Sequence, residues 1–213
     1  MIIPDPYYLR PEVSNSDLSR LKNELYPRDV VYDVENAYRF GNLLDCMITE
    51  PARVNFFKCE VAGEKFPRED FERAERMKSS FYRDPFCRDI LKGASTQKTM
   101  VRRQKFSYGG FRFELDTRCK WDLLRPDLGY GGDIKSTTAK TQTEFEAAAK
   151  YFDYDRQRAW YMAISGSNRD VIIGISKVNF RVFKIFIKKG DSFYNSGVEK
   201  YNELAFRWFL IYK

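Results

Sequence analysis

The chain has 213 residues, of which 43% are hydrophobic, and a formal net charge of +7 that arises from 37 Lys and Arg against 30 Asp and Glu. This composition is typical of a globular domain large enough to bury a core, and it excludes a disordered chain. Histidine is absent, which excludes His-based triads, His general bases and His-ligated zinc sites. Any catalytic group must therefore be a carboxylate, a lysine, a tyrosine or a thiol.

The hydropathy pattern and the N-terminal residues predict where the protein is found. No stretch approaches the roughly 18 uninterrupted apolar residues that a membrane-spanning helix needs. The first six residues already contain an acid and two prolines, and no basic region precedes an apolar core as in a signal peptide. We therefore expect a cytoplasmic protein that makes no membrane contact.

The positive net charge and the cysteines narrow the classes of partner and cofactor. A charge of +7 favours an anionic partner, of which nucleic acid is the commonest, although an ordinary basic surface explains the charge equally well. The cysteines form no CxxC pair and fit no common zinc or iron–sulfur spacing. In a cytoplasmic chain we expect them to be reduced, partly buried thiols. They are Cys46, Cys59, Cys87 and Cys119.

Four helices are predicted before residue 95. Each is indicated by a capping residue, a first-turn proline or apolar positions at helical spacing. Ser14 and Ser16 can cap the first helix, Pro51 ends the second and Gly93 ends the fourth. The four predicted segments are a short helix ending at about residue 24, residues 36–50, residues 67–79 and a short helix from Asp84-Pro85 to Gly93.

Strand patterns replace the helical ones after residue 95. Residues 98–106 form one predicted strand, Gly109-Gly110 turns the chain, and residues 111–124 form a second strand with one apolar and one charged face. A glycine-rich loop then leads to a short strand that begins at Asp133. The remaining predicted elements are a helical segment over 141–165 with a break near Asp153, strands over 171–178 and 180–187 separated only by Asn179, and an aromatic-rich helix over 191–212.

This order of elements predicts the fold class. Helices, a strand meander, a helix, two strands and a final helix indicate an α/β or α+β domain with a central mixed β-sheet flanked by helices. The chain has no internal repeat and no linker-like stretch. We expect a single domain over 1–213, with a core over about 36–188 and the C-terminal helix over 191–212.

Three residues on the predicted strands carry the chemistry. Residues i and i+2 of a strand point to the same face, so Asp133 and Lys135 project together. Asp122 lies near the end of the preceding strand, on its charged face. The turn between the strands is long enough to bring Asp122 beside Asp133, and two carboxylates and one ammonium group would then converge.

Such a cluster suits a hard cation and a phosphate. Mg²⁺ prefers oxygen ligands, and two aspartates together with a backbone carbonyl would bind it; Mn²⁺ would substitute. The metal would lower the pKa of a bound water and neutralise charge that develops on a phosphate. The lysine would position or deprotonate the attacking water and stabilise the phosphate electrostatically. Phosphodiester hydrolysis by a protein without histidine requires these groups. Alternatively, Asp122 pairs with Lys120 or Arg118 at a solvated surface.

The order of these motifs resembles the core of the PD-(D/E)XK nucleases, with its restriction-endonuclease-like fold. More specifically it is similar to the RecE-type exonucleases and their phage relatives, distant kin of lambda exonuclease and of the RecB nuclease domain. Those proteins carry a strand ending in Asp, a turn and then Asp-(Val/Ile)-Lys-(Thr/Ser)-Thr. The matching residues of this chain are Asp122, Asp133, Ile134, Lys135, Ser136 and Thr137.

Further motifs of the family lie on both sides of this core. A helix with Gln and Tyr one turn apart follows it, here Gln157 and Tyr161, whose i,i+4 spacing places them on one helical face. Upstream, the family has a helix with Gly, then His four residues later, then Glu-Pro. This chain has Gly41 and Glu50-Pro51 but Asp45 in place of the histidine. An early Ser-x-Ser-x-Leu, here from Ser14, also matches, so the resemblance covers about residues 14–185.

The resemblance assigns expected roles to these residues. Asp122, Asp133 and Lys135 would be catalytic, and Asp45, Asp122, Asp133 and the Ile134 backbone carbonyl would bind the metal. Asp45 is alternatively a surface acid or a partner of Arg39 or Lys58. Gln157 would hold Lys135 or a phosphate oxygen, and Tyr161 would contact the DNA backbone. Basic residues on the strands are phosphate contacts or, equally, a solvated basic face: Arg102, Arg103, Lys105, Arg118 and Lys120.

The expected activity is that of a Mg²⁺-dependent deoxyribonuclease acting on DNA. The resemblance favours an exonuclease on linear double-stranded DNA over an endonuclease, in phage or mobile-element recombination inside a bacterial or phage-infected cell. It also implies a ring-forming homo-oligomer and a recombination partner protein. Two alternatives remain at this point. One is a nucleic-acid-binding module that kept the fold and lost its catalysis, and the other is a subunit of a recombination or packaging assembly.

Overall fold

The computed structural model describes residues 6–27 and 33–213. Residues 1–5, which belong to the segment that we searched for a signal peptide, and residues 28–32 lie outside this description. Within the described residues, a five-stranded mixed sheet carries helices on both faces. Its strands are β4 (Ser95–Tyr108), β5 (Phe111–Arg125), β6 (Tyr130–Thr137), β7 (Arg169–Ser176) and β8 (Val182–Lys188), while a small three-stranded sheet contains β1 (Val54–Asn55), β2 (Glu60–Val61) and β3 (Glu64–Lys65).

Local signals define the ends of the helices. Ser14 forms a capping box with Asp17 at the first helix, Asp84 caps the fourth and Asp191 caps the last. Short 3₁₀ helices occur at Pro6–Leu9, Pro51–Arg53 and Pro126–Leu128. The α-helices are α1 (Asn15–Leu25), α2 (Val34–Thr49), α3 (Arg68–Arg83), α4 (Pro85–Gly93), α5 (Gln142–Tyr151), α6 (Tyr154–Ser165) and α7 (Ser192–Tyr212).

The main sheet has the order β4-β5-β6-β7-β8. All neighbouring strands are antiparallel except β6 and β7, which are parallel. The β4–β5 hairpin is long, with pairs from Ser95–Leu124 to Tyr108–Phe111. In contrast, β5 and β6 form only three pairs, which end at Leu123–Gly132. The sheet therefore contains a point where two adjacent strands separate after a short stretch of pairing.

Each face of the sheet has its own hydrophobic core. On one face α1, α5, α6 and α7 cover a core that includes Trp121 and Trp160. On the other, α2, α3 and α4 cover a core that includes Ile134 and Ile173. The strand β7 is buried along almost its whole length, as expected for a central strand between two helical layers. The predicted mixed sheet flanked by helices is confirmed.

The structure changes several predicted boundaries. The third helix extends four residues further than predicted, to Arg83, and β6 begins at Tyr130 rather than at Asp133 because its glycines also pair with β5. The predicted helix break is present, with Asp153 in the left-handed region at φ 54°. The turn between β7 and β8 covers residues 177–181, not Asn179 alone. The small sheet was missed because two-residue strands show no alternation.

All four cysteines are free thiols, two of them buried. Among the described residues, no helix combines the length and the apolar composition that crossing a membrane requires.

We predict that Gly131→Ala destabilises the fold, because a methyl group there would overlap the buried ring of Trp121. Overpacking of this kind costs about 1–3 kcal/mol. Gly41→Ala is the matched control, since nothing lies within 4 Å of a methyl group at this helical position. That variant should gain roughly 0.5–1 kcal/mol from its lower backbone entropy. Urea denaturation measures both, and an equal effect of the two substitutions would contradict the packing argument.

Candidate active site

The separation of β5 and β6 creates the site. Continuing the register beyond the pair Leu123–Gly132 places Asp122 opposite Asp133, but the strands no longer bond to each other there. Instead, the Asp122 carboxylate accepts a hydrogen bond from the backbone N–H of Ile134, at 2.9 Å between Oδ2 and N. A side chain thus replaces a strand–strand hydrogen bond, which orients the carboxylate and satisfies a buried donor.

The pair Asp133 and Lys135 projects from one face of β6, as the sequence predicted. Lys135 Nζ lies 2.7 Å from Asp133 Oδ2 and 5.2 Å from the centre of the Tyr154 ring. Burial by itself would lower the pKa of Lys135, but the adjacent carboxylates of Asp133 and Asp122 raise that pKa above its ordinary value. Lys135 is therefore a cation in this state.

Asp45 of α2 joins these residues at the same site. Burial raises the pKa of Asp45 well above its ordinary value, and the charges of Asp122 and Asp133 raise it further. Burial and Asp133 likewise raise the pKa of Asp122 to about 6. Arg39, an alternative partner for Asp45, instead forms an ion pair with Glu64. The structure thus brings the residue at the family's histidine position to the two strand carboxylates.

Sequence reasoning missed two charged residues behind the site. Arg158 of α6 is fully buried, and its Nη1 donates to Asp133 Oδ1 at 2.8 Å while its Nε donates to Asp170 Oδ2 at 2.7 Å. Burial raises the pKa of Asp170 to about 6 despite this partner. The available signal was the position of Arg158, next to Gln157 in a helix whose buried face also contains Tyr161.

The predicted substrate residues divide into two groups. Lys120, Gln157 and Tyr161 line the same groove as the site, a groove of about 1590 Å³. Tyr161 is only 8% exposed, and its ring lies against the Arg158 guanidinium. Burial keeps the pKa of Asp45 well above its ordinary value, and the positive charge of Lys120 offsets only part of that rise.

Arg118 is not part of the groove, contrary to its predicted role as a phosphate contact. It is 4% exposed, its Nη1 donates to the Arg10 carbonyl at 2.7 Å, and its Nη2 lies 3.2 Å from Asp17. Val13 pairs with Thr117 through backbone hydrogen bonds, so the N-terminal segment lies along the edge of β5 beside Arg118. Arg118 therefore fastens the N-terminal segment to the sheet.

Three further basic residues of the strands also lie outside the groove lining, namely Arg102, Arg103 and Lys105. Arg103 is exposed and forms ion pairs with Glu114 and Asp116 on the neighbouring strand. The guanidinium of Arg102 donates to the Ala163 carbonyl. For these residues the structure agrees better with a solvated strand face, partly neutralised by its own acids.

The groove itself is not a basic channel. Among the described residues that line it, nine side chains are acidic and six are basic. The positive net charge of the chain is therefore located elsewhere on the surface. A polyanionic substrate in this groove would meet carboxylates at its centre, and a cation would have to offset their repulsion.

The carboxylates of the site are the donor type that a hard divalent cation prefers, but the described side chains are not arranged as a metal-binding group. Four carboxylates converge with two cations, which leaves an excess of negative charge in a desolvated setting. However, both oxygens of Asp133 contact cationic groups. Within residues 6–27 and 33–213, no three Asp, Glu, Cys or His side chains are arranged to hold a metal ion. The carboxylates are Asp45, Asp122, Asp133 and Asp170, and the cations are Lys135 and Arg158.

Comparison with known proteins identifies the fold family. Residues 19–208 match the family described as "PDDEXK-like domain of unknown function (DUF3799)". The chain belongs to this family. The PD-(D/E)XK prediction is thereby confirmed, and a fold of this kind supports a nuclease. No curated protein matches the chain in sequence.

Solved structures with a similar fold are distant. A phage-related exonuclease from Haemophilus somnus 129PT is 11% identical with a TM-score of 0.47, covering 92% of this chain and 81% of its own. An alkaline exonuclease from Laribacter hongkongensis is 13% identical with a TM-score of 0.38, covering 93% and 88%. A protein titled SSO0001 is 11% identical with a TM-score of 0.43, covering 93% and 76%. A likeness at this level does not decide the activity of this chain.

The raised pKa of Asp122 predicts how stability depends on pH without divalent cations. Because the folded-state pKa of about 6 exceeds the ordinary 3.8, the native state binds more protons between these values. Stability should therefore fall as pH rises from about 4 to 6, by up to about 3 kcal/mol from this group. Asp122→Asn should flatten this slope and be more stable than the parent at pH 7.5 in urea denaturation.

Asp116→Asn is the control for this measurement. Asp116 lies on the same strand, but it is exposed and paired with Arg103. The control should keep the slope of the parent protein. If Asp122→Asn keeps it as well, ionisation of Asp122 does not destabilise the fold.

Proposed function

We propose that this protein is a metal-dependent deoxyribonuclease that hydrolyses phosphodiester bonds in DNA. One observation carries the proposal. Asp45, Asp122, Asp133 and Lys135, which come from α2, β5 and β6, line one groove of a PDDEXK-like domain, where the charges of neighbouring residues act on the pKa values of Asp45, Asp122 and Lys135. Carboxylates beside a charged lysine are the groups that phosphodiester hydrolysis needs in a chain without histidine.

Lys135 acts as an electrostatic group in this proposal. Without a bound metal ion, the charges of Asp133, Tyr154 and Asp122 raise the pKa of Lys135, which favours a role as a cation. At 2.7 Å from Asp133 Oδ2, the ammonium is oriented by the carboxylate. It would stabilise the negative charge that grows on the phosphate oxygens.

The carboxylates would hold the metal ion. Asp122, Asp133 and the Ile134 carbonyl would bind Mg²⁺, or Mn²⁺ in its place, and Asp45 would be a further ligand. When bound, the ion supplies an acidified water and positive charge for the phosphate. Asp133 and Ile134 are buried, whereas Asp45, Asp122 and Lys135 are partly exposed to the groove, so the metal would lie at the boundary between core and groove.

Three groove residues would contact the substrate. Gln157 and Lys120 are half-buried lining residues whose amide and ammonium groups suit a phosphate oxygen. Tyr161 lines the groove but has little exposed surface. We assign it to the wall that orients Arg158 and to contact with the DNA backbone at most through its hydroxyl.

The exonuclease preference rests on the resemblance to RecE-type proteins. In that hypothesis the substrate is linear double-stranded DNA, and the pathway is phage or mobile-element recombination. A ring-shaped homo-oligomer, a recombination partner protein and a cytoplasmic location are expectations of the same resemblance and stay predictions.

A second candidate function is a nucleic-acid-binding module without catalysis. One observation favours it, namely that Arg158 and Lys135 already engage both oxygens of Asp133. Together with Asp45 at the histidine position, this arrangement is compatible with a site that binds no metal. Metal titration separates the two candidates.

We predict that the purified protein with Mg²⁺ or Mn²⁺ degrades linear duplex DNA and leaves closed circular DNA intact. Asp133→Ala and Lys135→Ala should each lower kcat by about 10²–10³-fold, the usual effect of removing one electrostatic contribution. The control is Lys105→Ala, because Lys105 is exposed and lies outside the groove lining. Intact DNA of both forms with every metal would refute the nuclease proposal, and equal cleavage of circles would refute the exonuclease preference.

Calorimetric titration with Mn²⁺ tests the ligand role of Asp45. We expect binding by the parent protein and a loss of affinity of at least about tenfold in Asp45→Asn. Asp33→Asn is the matched control, since Asp33 caps the same helix at its other end. Unchanged affinity in Asp45→Asn would remove Asp45 from the ligand set. The absence of binding in the parent protein would favour the non-catalytic module.

A further inference from the structure

The roles assigned so far leave Arg158, the buried arginine behind the site, unused. Arg158 is fully buried, although burying a charged side chain is costly unless it is paired. Its guanidinium bridges Asp133 on β6 and Asp170 on β7, two strands that run parallel side by side. One of the two carboxylates is in the catalytic cluster, and the other lies behind it.

We propose that Arg158, fixed by Asp170, is a positioning residue that sets the orientation of Asp133. This inference rests on the proposed nuclease function. Nη1 of Arg158 holds Asp133 Oδ1 at 2.8 Å, so only Oδ2 is presented to Lys135. The carboxylate is thereby fixed in one rotamer with one oxygen turned toward the reacting groups.

The surroundings of Arg158 hold the guanidinium rigidly. The rings of Trp121 and Tyr161, which contact each other edge to face, both lie 4.5 Å from the guanidinium carbon, so the planar group packs against two aromatic rings. The Trp121 ring occupies the space that a side chain at Gly131 would need. Gly131 is the residue of β6 paired with Asp170. One local packing arrangement thus fixes both the arginine and its anchor.

The carboxylate of Asp170, which anchors Arg158, also has a defined orientation. Asp170 is fully buried, its Oδ1 accepts from the Val171 N–H at 2.7 Å, and its Oδ2 accepts from Arg158 Nε. A lysine at position 158 would keep the positive charge, but it lacks the planar fork that reaches two carboxylates in fixed directions. The Arg158→Lys substitution therefore separates the effect of orienting Asp133 from the effect of positive charge.

The test compares four variants with the parent protein. Arg158→Met combined with Asp170→Asn removes both partners of the Arg158–Asp170 ion pair, while Asp133 keeps Lys135 as its cationic partner. Arg158→Lys and Asp170→Asn are the single variants that keep the test valid if the double variant does not fold. Arg156→Met is the matched control, because Arg156 is a buried arginine of the same helix that bonds Asn15 and Ser19 on α1 instead.

We expect the double variant to remain folded, as measured by circular dichroism, but to lose about 10- to 100-fold in kcat with KM for DNA unchanged. Its affinity for Mn²⁺ in calorimetry, which is measured without DNA, should fall at least about tenfold. Arg158→Lys should show the same losses in smaller measure, and Asp170→Asn should lie between it and the parent. Arg156→Met should keep the kcat and the Mn²⁺ affinity of the parent.

The outcomes separate this inference from the nuclease proposal. If the parent cleaves DNA and binds Mn²⁺ while the Arg158 variants match Arg156→Met in both, the positioning role is wrong and the nuclease function stands. If Arg158→Lys retains the kcat and the Mn²⁺ affinity of the parent protein, positive charge alone is sufficient and the positioning role is also wrong. If the parent neither cleaves DNA nor binds Mn²⁺, the nuclease function fails and the positioning role fails with it.

Discussion

A carboxylate buried between two cations is the interaction on which the site depends. Asp133 is 3% exposed and touches Lys135 through one oxygen and Arg158 through the other. The burial of this carboxylate is tolerated because both of its oxygens are paired with cationic groups. The neighbouring acids Asp122 and Asp45 are less fully compensated, as their raised pKa values show. The site is thus short of positive charge where a phosphate would bind.

The fold provides this arrangement through a local interruption of its sheet. After the pair Leu123–Gly132, β5 and β6 separate, and the Asp122 carboxylate takes over the hydrogen bond to the Ile134 N–H. Two layers of helices then complete the site from opposite faces. α2 contributes Asp45 from one side, and α6 contributes Arg158 from the other. The same strands that form the centre of the core therefore carry the polar groups.

The whole chain is positively charged, whereas the groove lining is acidic. The net charge of +7 suggested a basic binding surface, but the groove lining is acidic overall in the part of the chain that the structure describes. Arg118, predicted to contact phosphate, is buried against Arg10 and Asp17. Net charge reports on the average surface, whereas binding depends on the local field at one groove.

By itself, the sequence determined most of the fold and the centre of the site. Caps such as Ser14, helical spacing and strand alternation are local signals, and the i,i+2 rule alone placed Asp133 beside Lys135. The residues that contact Asp133 and Lys135 from distant parts of the sequence became known only from the tertiary structure. The position of Arg158 beside Gln157 was a weak signal and Asp170 gave none, because a buried charged residue and a surface charged residue look alike in sequence. Their pairing depends on how α6 packs on the sheet, which long-range contacts fix.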